Sequence, residues 1–373
     1  MNTNKKRSML PPQWLPVLSV FFCVHPWLIS GTSAASILLP EGIAEPSGHI
    51  GYFANATGGI EAVDLTSGKV LWQTHEAQRP LLLDGGCLLA QAGTKRNRLR
   101  ILRFDPKHHG ECDFESDPVV FAAWVVTGEA PGHSFTAHWQ VQKHHLVLNW
   151  EASASYAGET RPTPEEARPA RKHAAGTARI DLRTGQVEIR PVEKKESSPL
   201  LPLPDHLEKK AQRWQGQVGP HYKVLTLEEE NGQQCFMLHS WDRRNQTEQT
   251  PRELLRGKQL LARATLDERI LCLREATPSP DERASLKPKK TSGRWWLFAV
   301  QTGESVGHIP EEAGMHAIAV LGKRVFYLVP GTFRGSLDKP SVQPQILRVI
   351  DLTSGKKLWE RPVAGKLIVP PAL

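Results

Sequence analysis

The stretch that decides the fold is "EAVDLTSGKVLWQTHE", residues 61–76, because nearly the same words return at 348–363 as "RVIDLTSGKKLWERPV". Aligned on the aspartate, Asp64 is followed by Gly68 and Trp72, and Asp351 by Gly355 and Trp359, at identical offsets. "ARIDLRTGQVEI" repeats the phrase with Asp181 and Gly185, and Ile189 stands where the tryptophan would be. "WWLFAVQTGESVGHI" is a shorter copy around Gly303, and weaker copies surround Asp105 and Asp242. Internal repetition at long intervals marks an architecture built from one recurring unit.

Each copy reads as a β-hairpin. Alternating apolar residues lead in, a polar turn interrupts them, and a second short run follows. Asp and Ser or Thr side chains bond turn backbone, and Gly supplies a positive φ. A short loop ending in Gly is the usual hairpin with a bulge. The tryptophan has the size to fill the gap between neighbouring sheets.

Upstream of most turns lies a pair of apolar runs split by a tight polar step. Examples are "RPLLLDGGCLLAQAG" (79–93), "SFTAHWQVQKHHLVLNWEAS" (134–153), "QLLARATLDERILCLREAT" (259–277) and "HAIAVLGKRVFYLVPG" (316–331). A pair plus a hairpin makes four antiparallel strands. Repeated units of that kind predict an all-β chain folded as a β-propeller. Turns near residues 64, 105, 181, 242, 301 and 351 predict about six blades, and the segment 112–145 leaves room for a seventh. One helix is expected, an amphipathic one in "DHLEKKAQRW" at 205–214. The tail "AGKLIVPPAL" (364–373) looks like the first strand of a blade, so a ring closed by the C-terminal strand is expected.

Residues 1–35 stand apart. Lys5, Lys6 and Arg7 precede the apolar "WLPVLSVFFCVHPWLIS", and "GTSAAS" then offers small residues for cleavage near Ala34 or Ala35. This is the layout of a secretory signal peptide, with a retained anchor as the alternative. The expected division is a signal at 1–35 and one propeller domain at 36–373, exported to a periplasmic or extracellular space. Past Cys23 remain Cys87, Cys112, Cys235 and Cys272. An exported chain permits disulfides, and four cysteines allow three pairings. Their placement inside apolar runs reads more simply as small buried hydrophobes.

The chain carries 47 basic and 39 acidic residues, well mixed, without a basic block interleaved with aromatics. Nucleic-acid binding has no support. Neither HExxH, GxSxG nor a phosphate-cradling glycine loop occurs. His108–His109 and His144–His145 are adjacent pairs, and neighbouring strand residues point to opposite faces, so neither is a ready chelate.

The phrases "AVDLTSGKVLW" and "VIDLTSGKKLW" resemble the repeat of the quinoprotein-like propellers. That group includes pyrroloquinoline quinone alcohol dehydrogenases and the propeller lipoprotein of outer-membrane barrel assembly. The resemblance implies the fold, and for the dehydrogenase branch it implies a quinone, a calcium ion and a catalytic aspartate. Those ligands find no matching position in this sequence, so neither cofactor is expected. A small propeller oxidoreductase with a quinone or metal in the axial funnel remains the alternative.

Long segments at 155–177, 192–219, 277–294 and 331–344 fall on one face of the expected ring, and the other face has only short turns. Function concentrates on loops held by a rigid scaffold. Arg161, Arg168, Arg171 and Lys172 in one loop, with Lys287, Lys289 and Lys290 in another, make that face the candidate binding surface. The alternative is that these stretches are tolerated insertions. The expected partner is another envelope or extracellular protein, with a polysaccharide as a further possibility.

Overall fold

The computed structural model describes residues 36–364, apart from 94–95, 128–129, 131, 155–171, 192–203, 209, 243, 277–292, 313, 332 and 335–340. Its strands group into consecutive antiparallel sheets, each built from one continuous piece of chain. The first holds β1 (Ile37–Leu39), β2 (Gly42–Ala44), β3 (Ile50–Ala54), β4 (Ile60–Asp64) and β5 (Val70–Thr74). The second holds β6 (Arg79–Asp84), β7 (Cys87–Gly93) and β8 (Arg98–Asp105), with β9 (Glu111–Glu115) and β10 (Val119–Val120) both paired to β8. The third holds β11 (His133–Gln142), β12 (His145–Ala154), β13 (Lys172–Asp181) and β14 (Val187–Pro191).

A single helical turn, α1 (Asp205–Glu208), precedes the fourth sheet of β15 (Ala211–Val218), β16 (His221–Glu230), β17 (Gln233–Asp242) and β18 (Thr247–Gly257). The fifth holds β19 (Leu260–Ala264), β20 (Ile270–Glu275), β21 (Arg294–Ala299) and β22 (Ser305–Pro310). In the sixth, β23 (His316–Leu321) and β24 (Arg324–Val329) pair with β27 (Gln345–Asp351) and β28 (Lys357–Val363). The hairpin of β25 (Phe333–Arg334) and β26 (Ser341–Val342) lies between them in sequence. This is a six-bladed β-propeller.

The expected helix over 205–214 is corrected. Only Asp205–Glu208 is helical, and Ala211–Val218 is a strand paired with β16. An isolated helix this short is marginal, and a ladder of cross-strand bonds outweighs its propensity.

Strands at the inner edge of neighbouring blades touch one another, β1 with β23, β2 with β6, β6 with β11 and β15 with β19, which puts them at the axis. Alternation along the strands sets the layers. On β12, Leu146, Leu148, Trp150 and Ala152 are buried, whereas Asn149 and Glu151 between them are exposed.

The repeated phrase makes the turn between the third and fourth strands. Oδ1 of Asp64 accepts the backbone N–H of Thr66 at 2.8 Å and of Ser67 at 2.7 Å. The N–H of Gly68 closes the turn on the carbonyl of Asp64 at 2.8 Å, with φ +73°. Asp181 with Gly185 and Asp351 with Gly355 form the same turn, with glycine φ of +78° and +67°. Ala299 stands in for the aspartate in the turn closed by Gly303.

These turns dock on the preceding blade. A Cβ built on Gly68 would lie 2.6 Å from Cγ of Trp359 in the sixth blade, and one on Gly110 would lie 2.5 Å from the Trp72 ring in the first. Gly185 meets the carbonyl of Glu115, and Gly303 meets Arg252. Leu352, next to Asp351, covers Gly307 of the fifth blade. Apolar clusters fill the same seams, between blades one and two, two and three, four and five, five and six, and six and one.

The last seam closes the ring. Leu39, Phe53, Val63 and Leu65 of the first blade pack with Phe326, Leu347, Val349 and Trp359 of the sixth. Val363 of the C-terminal strand β28 bridges to Asn55, and the N–H of Ala364 donates to the carbonyl of Ala54 at 3.0 Å. The first blade draws all of its strands from residues 37–74, and 365–373 lie outside the described residues.

Candidate functional site

Among the described residues, no apolar cluster joins the third and fourth blades. Polar groups stand there instead. On β16, Lys223, Leu225 and Leu227 share one side of the sheet, and Leu225 and Leu227 pack toward the fifth blade. Val224 and Thr226 therefore face away from the fifth blade, beside His239 of β17, and both are wholly buried.

The buried groups are linked in a chain. Nδ1 of His239 lies 2.6 Å from Oε1 of Glu248, and its Nε2 lies 3.0 Å from Oγ1 of Thr226. The Thr226 hydroxyl also donates to Oε1 of Glu228 at 3.2 Å. The connection from the third blade covers this surface. His206 of α1 reaches the other oxygen of Glu248 at 2.6 Å, Lys210 binds Glu228 at 2.7 Å, and Leu207 between them is wholly buried. Gln212 ties the connection down by donating to the carbonyl of Leu207 at 2.9 Å.

Burial pushes the Glu248 carboxyl up, but hydrogen bonds from His239 and His206 outweigh it and hold the group below the usual carboxylate range. The Lys210 ammonium holds Glu228 low as well. Both carboxylates are thus charged at neutral pH. The order carboxylate, imidazole, hydroxyl is that of an activated nucleophile. Here Thr226 is 0% exposed and its hydroxyl is already bonded on both sides, so it presents no nucleophile to solvent.

The third blade turns a different surface toward this seam. Ser134, His138, Asn149, Glu151 and His173 on its outward side are polar, and all five are exposed. Cross-strand bonds run through this surface: Ser134 with Ser153 at 2.7 Å, Thr177 to Asn149 at 2.9 Å, and His173 with Glu151 at 2.8 Å. One wall of the seam is sealed by α1 and the other is a hydrated polar sheet.

Asp64, Gly68, Trp72, Asp181, Gly185, Gly303, Asp351, Gly355 and Trp359 all sit in the hairpins of the blades described above. Of the candidate binding residues, Arg161, Arg168, Arg171, Lys287, Lys289 and Lys290 lie outside the described residues, and Lys172 opens β13 as an exposed residue. The long segments do join second to third strands, β12 to β13, β20 to β21 and β24 to β27. Asn55, in one of two Asn-x-Thr sequences, is only 4% exposed, and its Oδ1 takes the N–H groups of Thr57 and Gly59. It is a turn residue. The four cysteines beyond Cys23 are free, with Cys235 and Cys272 buried.

Thr226, His239 and Glu248 escaped the sequence reading. The available signal was a histidine within the apolar run "CFMLHSW" and a threonine within "VLTL", at positions whose strand neighbours are core. His206 and Lys210 gave no signal, because in the sequence they are simply members of the expected helix over 205–214.

Among the described residues no group of three or more His, Cys, Asp or Glu side chains stands close enough to hold a metal ion.

No family model and no curated protein matches the chain. Solved structures do. A europium-containing methanol dehydrogenase aligns with 88% of this chain and 79% of its own, at 11% identity and a TM-score of 0.32. The Dos1 propeller aligns with 86% of this chain and 70% of its own, at 9% identity and a TM-score of 0.25. The Bombyx mori GH32 β-fructofuranosidase BmSUC1 aligns with 73% of this chain and 59% of its own, at 11% identity and a TM-score of 0.25. At these values nothing about activity passes from those proteins to this chain.

Proposed function

We propose that the chain is exported and acts as a non-catalytic propeller scaffold of the quinoprotein-like repeat type, binding an envelope or extracellular protein through its long-loop face. One observation carries this reading. The turns joining first to second and third to fourth strands are short, and the long segments 155–171, 277–292 and 330–344 all join second to third strands on the opposite face. A rigid ring with one elaborated face suits recognition. The closed hydroxyl of Thr226 favours a scaffold over an enzyme.

The test has two parts. The amino terminus of the protein recovered from its host is expected to begin near residue 35, and an intact residue 1 in a cytoplasmic fraction contradicts export. Replacing 155–171 and 277–292 with short turns is expected to abolish cross-linking to the partner that the full chain captures, without lowering the melting temperature. Unchanged capture by the trimmed protein contradicts the loop face as the binding surface.

A further inference from the structure

Blade four turns one set of polar groups toward blade five. Val218, Gly216 and Trp214 on β15 pair in register with His221, Lys223 and Leu225 on β16, and those pair with Asp242, Ser240 and Leu238 on β17. Residues paired in this way share one side of a sheet, with Cβ atoms about 5 Å apart. That side faces blade five, because Trp214, Val218, Leu225 and Leu238 pack in one cluster with Leu260, Leu271 and Phe298.

The middle row holds Gly216, Lys223 and Ser240, and Lys223 is 6% exposed and Ser240 5%. The Trp214 ring folds over Gly216. A Cβ built on that glycine would lie 2.5 Å from Cζ2 of the ring and 3.4 Å from Cε2, the carbon bonded to Nε1. An ammonium, a hydroxyl and an indole N–H from three strands thus meet at one spot. Oγ of Ser240 and Nε1 of Trp214 are buried and, among the described residues, have no hydrogen-bond partner, and the same holds for Nδ1 of His221 in the next row. Lys223 likewise makes no hydrogen bond or ion pair among the described residues. Burial alone pushes its ammonium down from the ordinary lysine range, with no neighbouring carboxylate to offset it. Asp242, beside His221, accepts the N–H groups of Arg244 and Asn245 in its own turn. Buried polar groups are nearly always paired, and a buried charge without a counter-charge is the most costly of them.

We propose that this spot in the seam of blades four and five holds a halide ion, bound by Lys223, Ser240 and Trp214. The ammonium and the indole N–H can only donate, and the serine hydroxyl has a hydrogen to give. A water molecule would need acceptors for its own hydrogens and carries no charge to balance the ammonium. The donors lie within about one strand spacing of each other, roughly 5 Å, which suits a single-atom acceptor better than a carboxylate or a phosphate. Held there, the ion neutralises Lys223 and ties the inner strands of blade four together. Lys223 lies two residues past the start of β16, near the short turn from β15. The site is therefore distinct from the long-loop face and stands or falls without it.

Thermal melting of the full chain at constant ionic strength, with sodium gluconate exchanged stepwise for sodium chloride, tests the proposal. The melting temperature is expected to rise by about 2 °C and to saturate, as a ligand held by the folded state requires. Bromide is expected to act in place of chloride, and acetate is expected not to. Lys223→Met keeps the length of the side chain without its charge and is expected to lose the chloride response. Ser240→Ala is expected to raise the chloride midpoint about fivefold, the worth of one hydrogen bond. An absent or unsaturated rise, an equal rise with acetate, or an undiminished rise in Lys223→Met overturns the assignment. If Lys223→Met fails to fold, Ser240→Ala decides alone, and an unchanged midpoint in it overturns the proposal.

Discussion

The indole N–H of Trp359 donates to the carbonyl of Leu65 at 3.1 Å, across 294 residues of sequence, and both residues are buried. This bond lies in the seam where the last blade meets the first. Around it, Arg324 donates to the carbonyl of Gly48 at 2.8 Å, and Arg361 pairs with Glu61 at 2.6 Å. Two copies of the repeated phrase thus dock on each other, Trp359 of one against Leu65 and Gly68 of the other.

Gly68 and Gly355 occupy the same turn position, and their substitution separates two costs. Both have positive φ, so alanine costs about 1–2 kcal/mol at either for the left-handed backbone. At Gly355 no atom lies within 4 Å of the added Cβ, whereas at Gly68 it would meet Trp359 at 2.6 Å. Gly68→Ala is therefore expected to be the more destabilising by about 1–3 kcal/mol of overpacking. Denaturant melts of the two variants check this, and equal losses would show that the ring seam gives way freely.

The turn aspartates predict acid sensitivity. Backbone and side-chain hydrogen bonds from Ser67 hold Asp64 below the ordinary carboxylate range, and bonds from Ser354 do the same for Asp351. A depressed folded pKa gives stability that is present above the unfolded value and lost as pH falls through the folded one. The melting temperature is expected to be flat above about pH 5 and to fall below about pH 4. Asp64→Asn and Asp351→Asn keep an acceptor oxygen but cannot titrate. Together they are expected to make the acid limb shallower without abolishing it, since Asp181, Asp242, Glu228 and Glu248 are held low as well, and a series of melts across pH reads this directly.

The polar chain under α1 is expected to be structural. Thr226→Val leaves His239 and Glu228 short of a partner in a buried place and is expected to cost about 1–3 kcal/mol. Thr177→Val on the hydrated wall of the third blade is expected to change stability by about 0.5 kcal/mol or less. Chemical denaturation of both variants distinguishes the sealed wall from the open one.

Burial pushes the thiol of Cys272 up to about 12 and that of Cys235 to about 11. Thiolate is the reactive form, so both are expected to resist alkylation in the folded protein at pH 8 and to react on unfolding. Peptide mapping after iodoacetamide treatment in the presence and absence of denaturant measures this.

The blade hairpins were readable because a turn of that geometry restricts its residues: Asp64 has two backbone N–H groups to accept, and Gly68 has both a positive φ and a tryptophan against it. The copy at Asp242 is faint for a physical reason. Gln246 takes the left-handed position there with φ +52°, where the clear copies have glycine. The glycine and tryptophan of the phrase fade at the seam that lacks the apolar joint. The polar chain of Thr226, His239 and Glu248 was harder to read, because its members come from three strands and the helix that covers them is set by tertiary contacts. The expected helix over 205–214 overruns the first residues of β15, because the alternation of that strand is set against a partner strand ten residues on.

Ring closure through Trp359 is the centre of this account, and amide hydrogen exchange on Trp359→Ala tests it most directly. The first and sixth blades share one apolar cluster. Protection is therefore expected to fall together in β3 and β4 of the first blade and in β24 and β27 of the sixth, with β12 and β16 unchanged. Loss of protection confined to the sixth blade would contradict the closed ring.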